Sequence, residues 1–338
     1  MIIEKGRVSA PEIGRVWLNS PPLNLRQLRG KIVLIDFWDY TSLSSVRTLP
    51  YVQEWHRRYA AAGLVVIGVH TPEFTFAQQE ANVESGVREF GLTYPVVLDS
   101  EYELWKAFAN RYLPAKYLID RAGFIRFAHF GEGGYVETEQ HIQALLREGN
   151  SSLRLPRLMK PLRDADTPGA VCFRATPDLH LGHKHKRIGN PASSADHGPA
   201  DYDFTGELRE GLVYLRGKWT STAEYVELVG KTGSATLRYS ADTVSAVLSP
   251  GENPRAEVEL QQDGKPLASP VTTADTITRR DRSIVVVETS RIFSLVNNQA
   301  FGSHRLDLNC SSPGLRLYVL GFTSCVDPTV SGTRSARS

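Results

Sequence analysis

Between Lys31 and Gly149, apolar runs of strand length alternate with stretches of helical period. KIVLIDFW, from Lys31, is apolar and β-rich, and GLVVIGVHT (63–71) repeats that character. Between them, SVRTLPYVQEWHRRYAAA sets Val46, Leu49, Val52 (or Tyr51), Trp55 and Tyr59 three and four residues apart, the stripe of an amphipathic helix. Pro50 falls about one turn into that helix and predicts a kink rather than a stop. A polar helix over 75–90, a short strand PVVLDS (95–100) and a helix starting in EYELWKAFAN follow. KYLID and FIRFAHF, joined by RAG, predict a hairpin, and VETEQHIQALLRE a closing helix. Strands separated by helices imply a largely parallel or mixed sheet with helices on both faces.

The pattern changes at about residue 150. GNSSLRLPRLMKPLRDADTPG carries no sustained period and reads as a linker running along the surface. Its Arg154, Arg157, Lys160 and Arg163 could dock an anion, although blocks of charge usually just face water. After about 200 come eight or so short alternating runs: GLVYLRGKW, YVELV, SATLRYS, VSAVLSP, AEVELQQDGKPL, SIVVVETSRIFSLV, HRLDL and LRLYVLGF. Asp263-Gly264 is a hairpin-turn signal, and the whole predicts an antiparallel sandwich or jelly roll. The boundaries implied are 1–149 for the α/β domain, 150–175 for the linker, 176–328 for the β domain and 329–338 for a disordered tail.

Composition narrows the classes. At 338 residues the chain suits two domains, taking roughly 150 residues for each. The formal net charge of +2 makes no electrostatic case for nucleic acid. No window approaches the roughly 18 continuous apolar residues of a membrane span. The N-terminal stretch carries Glu4 and Glu12 and no apolar core, so it does not read as a leader, which places the chain in the cytoplasm. Three cysteines, Cys172, Cys310 and Cys325, are too few for a disulfide framework and suit a reducing compartment. If SHRLDL and LRLYVLGF form a hairpin through SSPG, Cys310 and Cys325 lie at opposite ends of its second strand. That is too far apart for a bond, so isolated buried thiols are expected.

The first domain resembles the thioredoxin superfamily, and within it the TlpA-like and DipZ-type redoxins. The resemblance rests on LRGKIVLIDFWDYTSLSSVRTLPYV, GLVVIGVHTPEF and YPVVLDSEYELWKAFANRYLPAKYLIDRAGFIRFAHFGEG, in that order. GAVCFRATPDLHLGH, YLRGKW, SRIFSLV and PGLRLYVLGFT look like the C-terminal jelly-roll domain of DipZ-type proteins, which resembles a carbohydrate-binding module. The implied architecture is a thioredoxin-like α/β fold followed by an all-β jelly-roll sandwich. The implied activity is thiol–disulfide exchange on protein or peptide thiols, with no cofactor, and the resemblance makes the periplasm the alternative compartment. The family turn reads Trp-x-Tyr-x-Cys-x-x-Cys before a helix with Arg-x-x-Pro; here its cysteine positions fall on Ser42 and Ser45.

That replacement removes the chemistry. A helix N-terminus stabilises a thiolate by about 0.3–1 kcal/mol, up to about 2 when partly buried. This is at most about 1.5 pK units, enough for a thiol but far too little for a serine hydroxyl. Nor can an oxygen form the mixed disulfide through which exchange proceeds. A serine nucleophile would need a base, and His56 and His70 are the nearest candidates in sequence, yet nothing resembles a Gly-x-Ser-x-Gly elbow. The serine-rich turn is instead expected to N-cap the helix.

Asp36 matches the family's buried acid beneath the second cysteine; it reads equally as a structural carboxylate with Ser45 as its partner. Pro114 matches the family's cis-proline, which borders the active-site turn and offers backbone to an extended substrate. Trp38 and Tyr40 match aromatics near the site, where packing explains them as well as ligand contact does. His180, His183 and His185, in HLGHKHK, have a spacing that can suit a metal, but a solvated basic segment is the stronger reading. Trp219, Tyr225, Tyr239, Phe293 and Tyr318 could stack on a sugar, though on alternating strands such residues are more often core. Three functions remain open: a redox-inactive protein that binds a peptide or protein partner beside the Ser42 turn, an oxidoreductase whose cysteines were changed to serine, and carbohydrate binding by the β domain.

Overall fold

The computed structural model describes residues 2–7, 16–167, 170, 172–190 and 198–324, with backbone alone for 2–7 and 164. The chain divides between Asp166 and Thr167. The first unit runs β1 (Ile2–Arg7), β2 (Trp17–Leu18), β3 (Ile32–Trp38), α1 (Leu43–Tyr59), β4 (Leu64–His70), α2 (Glu80–Glu89), β5 (Val96–Leu98), α3 (Glu103–Ala107), β6 (Ala115–Ile119), β7 (Phe124–Phe130) and α4 (Tyr135–Glu148). Its sheet has the order β1-β7-β6-β3-β4-β5-β2. β3 is parallel to β4 and antiparallel to β6.

β3 is the central strand, and all seven of its residues are buried. Ile32, Leu34 and Trp38 share one core with Leu49, Val52, Trp55 and Tyr59 of α1 and with Ile142 and Leu146 of α4. Val33, Ile35 and Phe37 enter a second core with Leu104 and Phe108. Helices on both faces explain why KIVLIDFW is apolar throughout rather than alternating. α1 continues through Pro50 as one helix, and the chain then reverses at Gly63, whose φ of +105° suits a residue without a Cβ.

Residues 151–166 belong to this unit and are not a free run. Leu153, Leu155 and Met159 pack against the core between α1 and α4. The Met159 N–H donates to Glu139 Oε2 (2.7 Å), and the Leu162 N–H donates to the Tyr51 hydroxyl (2.7 Å). Arg163, expected to be solvated, pairs with both Glu132 and Asp166, each at 2.7 Å. Spaced apolar residues and backbone hydrogen bonds fasten this segment, a pattern with no period to betray it.

The second unit is antiparallel β structure. It comprises β8 (Leu179–His180), β9 (Ala200–Tyr202), β10 (Val213–Ser221), β11 (Val226–Ser249), β12 (Ala256–Gln262), β13 (Lys265–Pro266), β14 (Thr276–Arg279), β15 (Arg282–Val287), β16 (Arg291–Cys310) and β17 (Arg316–Thr323). The main path is β14-β15-β12-β16-β11-β10-β9, with β17 pairing β11 and β8. Asp263 and Gly264, at φ 52° and 77°, form the two-residue turn between β12 and β13. Trp219, Tyr239, Phe293 and Tyr318 are buried in the unit, and Tyr225 is half-buried.

Two expectations are corrected. YVELV, SATLRYS and VSAVLSP are one 24-residue strand, β11, because irregularities such as that between Ala241 and Thr243 bend the strand without ending it. SHRLDL and LRLYVLGF do not pair: β16 lies between β12 and β11, whereas β17 joins β11 and β8. The cysteine reading also changes. Cys172 is disulfide-bonded, Cys310 is a free buried thiol, and Cys325 lies outside the described residues, as does the tail 329–338. Among the described residues no helix is long and apolar enough to cross a membrane.

Candidate functional site

β3 ends at Trp38 and the chain turns through 39–42 into α1. Asp39 organises that turn. Its fully buried carboxylate accepts the Thr41 N–H (3.0 Å), the Thr41 hydroxyl (2.6 Å) and the Glu73 N–H (2.7 Å). His70 Nε2 lies 3.1 Å from its Oδ1. The turn is thereby tied to the chain leaving β4. Trp38 and Tyr40 are both buried, and the Tyr40 ring stacks on His70 with centroids 5.6 Å apart. Both therefore pack.

Ser42 stands at the N-cap position of α1, where its carbonyl accepts the Val46 N–H (2.9 Å). Its hydroxyl makes no capping bond, contrary to the expectation, and lies 3.2 Å from the Ser44 hydroxyl. Neither histidine serves it. His70 is fully buried against Asp39, and His56, held below its usual pKa by burial, sits beside Tyr94 with ring centroids 5.9 Å apart. The nucleophilic-serine arrangement is absent among the described residues.

Ser45 is fully buried, and the expected Asp36–Ser45 hydrogen bond does not form. Asp36 faces Lys116, its cross-strand neighbour on β6, with Nζ 3.6 Å from Oδ1 and both side chains fully buried. Neither group has a hydrogen-bond partner among the described residues. Burial raises the Asp36 pKa, and the Lys116 charge opposes that rise without cancelling it.

Pro114 follows a cis peptide bond from Leu113. The Ser44 hydroxyl lies 3.4 Å from the Leu113 carbonyl, so the serine turn and the Pro114 loop sit side by side. The Pro114 carbonyl accepts the Gly131 N–H (2.8 Å), which ties the loop to the end of β7. Tyr112 and Phe130, 57% and 41% exposed, bring their rings to 5.8 Å beside this loop. Behind the turn, Arg47 binds both oxygens of Glu132 at 3.0 and 2.9 Å.

His180, His183 and His185 do not assemble a metal centre: among the described residues no three ligating side chains are placed to hold one. The His180 and His185 rings stack at 4.8 Å. Burial, with His185 and Arg187 nearby, pushes His180 down to about 4.

Sequence reading missed Asp39, Lys116 and Glu132. Asp39 had a signal, because an Asp two residues before a Thr after a strand is an Asx-turn pattern. A lysine inside the apolar run AKYLI was a second anomaly. Glu132, in GEGG, gave none.

Comparison with known proteins matches residues 9–128 to the AhpC/TSA family and 176–323 to the thioredoxin like C-terminal domain. The chain is 35% identical over 268 residues to Protein DipZ of Mycobacterium tuberculosis, spanning 78% of this chain and 38% of that protein. It is 29% identical over 146 residues to thiol-disulfide oxidoreductase YkuV of Bacillus subtilis, spanning 43% of this chain and 98% of that one. Among solved structures, a thiol-disulfide isomerase from Corynebacterium glutamicum is 26% identical, with a TM-score of 0.39 over 41% of this chain and 96% of that one. The chain thus pairs a thioredoxin-like redoxin unit of the AhpC/TSA kind with a thioredoxin-like C-terminal domain, and it is similar to members of the thioredoxin family named as thiol-disulfide oxidoreductases.

Proposed function

We propose that this chain is a redox-inactive member of that family, which binds an extended segment of a partner protein beside the Ser42 turn and exchanges no disulfide with it. The observation that carries the reading is the buried, base-free Ser42/Ser45 turn in the place of the dithiol. Neither hydroxyl has a histidine partner, and oxygen cannot take the place of sulfur in a mixed disulfide. Binding is supported by the apolar surface of Tyr112 and Phe130 next to the Pro114 loop. The relatives named as oxidoreductases support protein thiols, or the segments that carry them, as the kind of partner.

In an insulin-reduction assay the unaltered chain gives the rate of the reductant alone, and Ser42→Cys/Ser45→Cys gives turnover above it. An extended peptide of mixed sequence, followed by fluorescence anisotropy, binds the unaltered chain and is weakened at least fivefold by Tyr112→Ala/Phe130→Ala. Turnover by the unaltered chain overturns the redox-inactive reading. Peptide binding indifferent to the aromatic pair overturns the groove.

A further inference from the structure

We propose, resting on the peptide-binding reading above, that Glu132 is a positioning residue for the groove beside the Ser42 turn. Through it the segment 151–166 sets how tightly that groove holds a partner.

Three side chains of α1 lie in one stripe, because residues three and four apart share a helix face. Ser44 meets the Leu113 carbonyl (3.4 Å), Arg47 meets Glu132, and the Tyr51 hydroxyl donates to Asp166 (2.7 Å). The stripe therefore runs from the Pro114 loop, past the turn that follows β7, to the end of the segment 151–166.

Glu132 is the hub of the contacts along it. Its carboxylate accepts Arg47 Nε at 3.0 and 2.9 Å and Arg163 Nη2 at 2.7 Å. Arg163 also donates to both oxygens of Asp166, at 2.8 and 2.7 Å. The Tyr51 hydroxyl, besides donating to Asp166, accepts the Leu162 N–H (2.7 Å), and its ring stacks on Tyr135 with centroids 3.6 Å apart. Two guanidiniums and two carboxylates thus form one neutral network. Their side chains are 8–32% exposed, and charges linked in such a network hold better than an isolated surface pair.

The backbone explains why the loop depends on this hub. Glu132 is the one residue of 131–134 that is not glycine. Gly131, Gly133 and Gly134 have φ of 82°, 94° and 61°, and glycine has the most conformational freedom to lose on ordering. Phe130 of the exposed aromatic pair stands directly before this loop, and the Gly131 N–H holds the Pro114 carbonyl (2.8 Å). No side chain but that of Glu132 can fasten the loop, so its grip on α1 fixes where Phe130 stands against Tyr112. Arg163 supplies the second half of that grip, from a segment with no α-helix or strand of its own. A segment held by spaced contacts opens locally at lower cost than the elements beneath it. With Arg163 released, the loop loosens, and ordering it again opposes binding.

The anisotropy assay with the mixed-sequence peptide tests this on the full chain. Arg163→Met should weaken the peptide about fivefold, the size of one networked ion pair read as affinity. Glu132→Gln should weaken it by at least as much. Because Arg163 acts through Glu132, Glu132→Gln/Arg163→Met should be no weaker than Glu132→Gln alone. Amide exchange at the Gly131 N–H, followed by NMR, should quicken in both single variants while the amides of β3 keep their rates. If Glu132→Gln does not fold, Arg163→Met, which leaves Arg47 bonded to Glu132, carries the affinity and exchange measurements by itself. Affinity unchanged by these variants but weakened by Tyr112→Ala/Phe130→Ala overturns the role of Glu132 and leaves the groove standing. Additive losses in the double variant, or unchanged Gly131 exchange, also overturn it. Absence of peptide binding by the unaltered chain removes the groove, and this role with it.

Discussion

Lys116→Met strips the ammonium from a pair in which both side chains are wholly buried and 3.6 Å apart. At that separation two unit charges attract by about 4–5 kcal/mol at an effective dielectric of about 20. Neither Asp36 oxygen has a hydrogen-bond partner among the described residues, so no other described group would steady the orphaned carboxylate. Removing one member of a buried pair typically costs about 3–5 kcal/mol. Asp36 can escape part of that by taking up a proton, which puts the expected loss near the lower bound, about 3 kcal/mol. Asp36→Leu/Lys116→Met removes the charge together with its desolvation, and its stability should return to within about 1 kcal/mol of the original or exceed it. Urea unfolding followed by tryptophan fluorescence reads this directly, because Trp17, Trp38, Trp55 and Trp105 lie in the first unit and Trp219 alone in the second. The pH dependence has a definite sign. An acid whose folded pKa is raised above its ordinary 3.8 binds its proton more tightly when folded, so its contribution is greatest at low pH and fades as pH rises. The Lys116→Met deficit should therefore be smallest near pH 4 and grow towards neutrality. A single-variant loss below about 1 kcal/mol, or a double variant no better than the single, would refute the reasoning.

Asp39→Ala removes an acceptor that serves two backbone N–H groups, a hydroxyl and His70. Hydrogen bonds to a charged group contribute about 1.5–3 kcal/mol each and do not add fully, so a loss of about 3 kcal/mol in urea unfolding is expected, and one under about 1 would deny Asp39 its organising role. In the second unit, His180 is held down to about 4 from 6.5 by burial, His185 and Arg187. A base with a depressed folded pKa contributes stability above pH 6.5 that is lost as pH falls through about 4. His180→Gln should flatten thermal stability against pH across that window, and an unchanged slope would rule out His180 as its source.

The strand–turn–helix around Ser42 was legible because its signals are local. A run apolar at every position, KIVLID, means a strand covered on both faces, and Leu49, Val52, Trp55 and Tyr59 at helical spacing mean a helix lying on it. The expectation that dithiol chemistry is lost was equally local, since it rests on which atom stands at 42 and 45. Asp36 was noticed, but its partner was misassigned to Ser45. The true neighbour, Lys116, lies 80 residues away in sequence and reaches it only through β3–β6 pairing. The segment 151–166 was hidden for a related reason, because its anchors are backbone groups bonded to Glu139 and Tyr51, which no periodicity encodes.

The β unit draws the same line from the other side. Alternation along each run implied antiparallel strands after about 200 and favoured the core over a sugar platform for Trp219, Tyr225, Tyr239, Phe293 and Tyr318, all but half-buried Tyr225 being buried, since side-chain direction in a strand has a period of two. Partners were not determined, because alternation says which face a residue takes and nothing about which strand lies beside it. Only the assembled sheet decided that β16 and β17 part company after Cys310, and that Arg216, Ser234, Asn309 and Glu259 stand in one row. Those four residues come from strands spread over nearly a hundred positions, and their neighbourhood exists only once register is set.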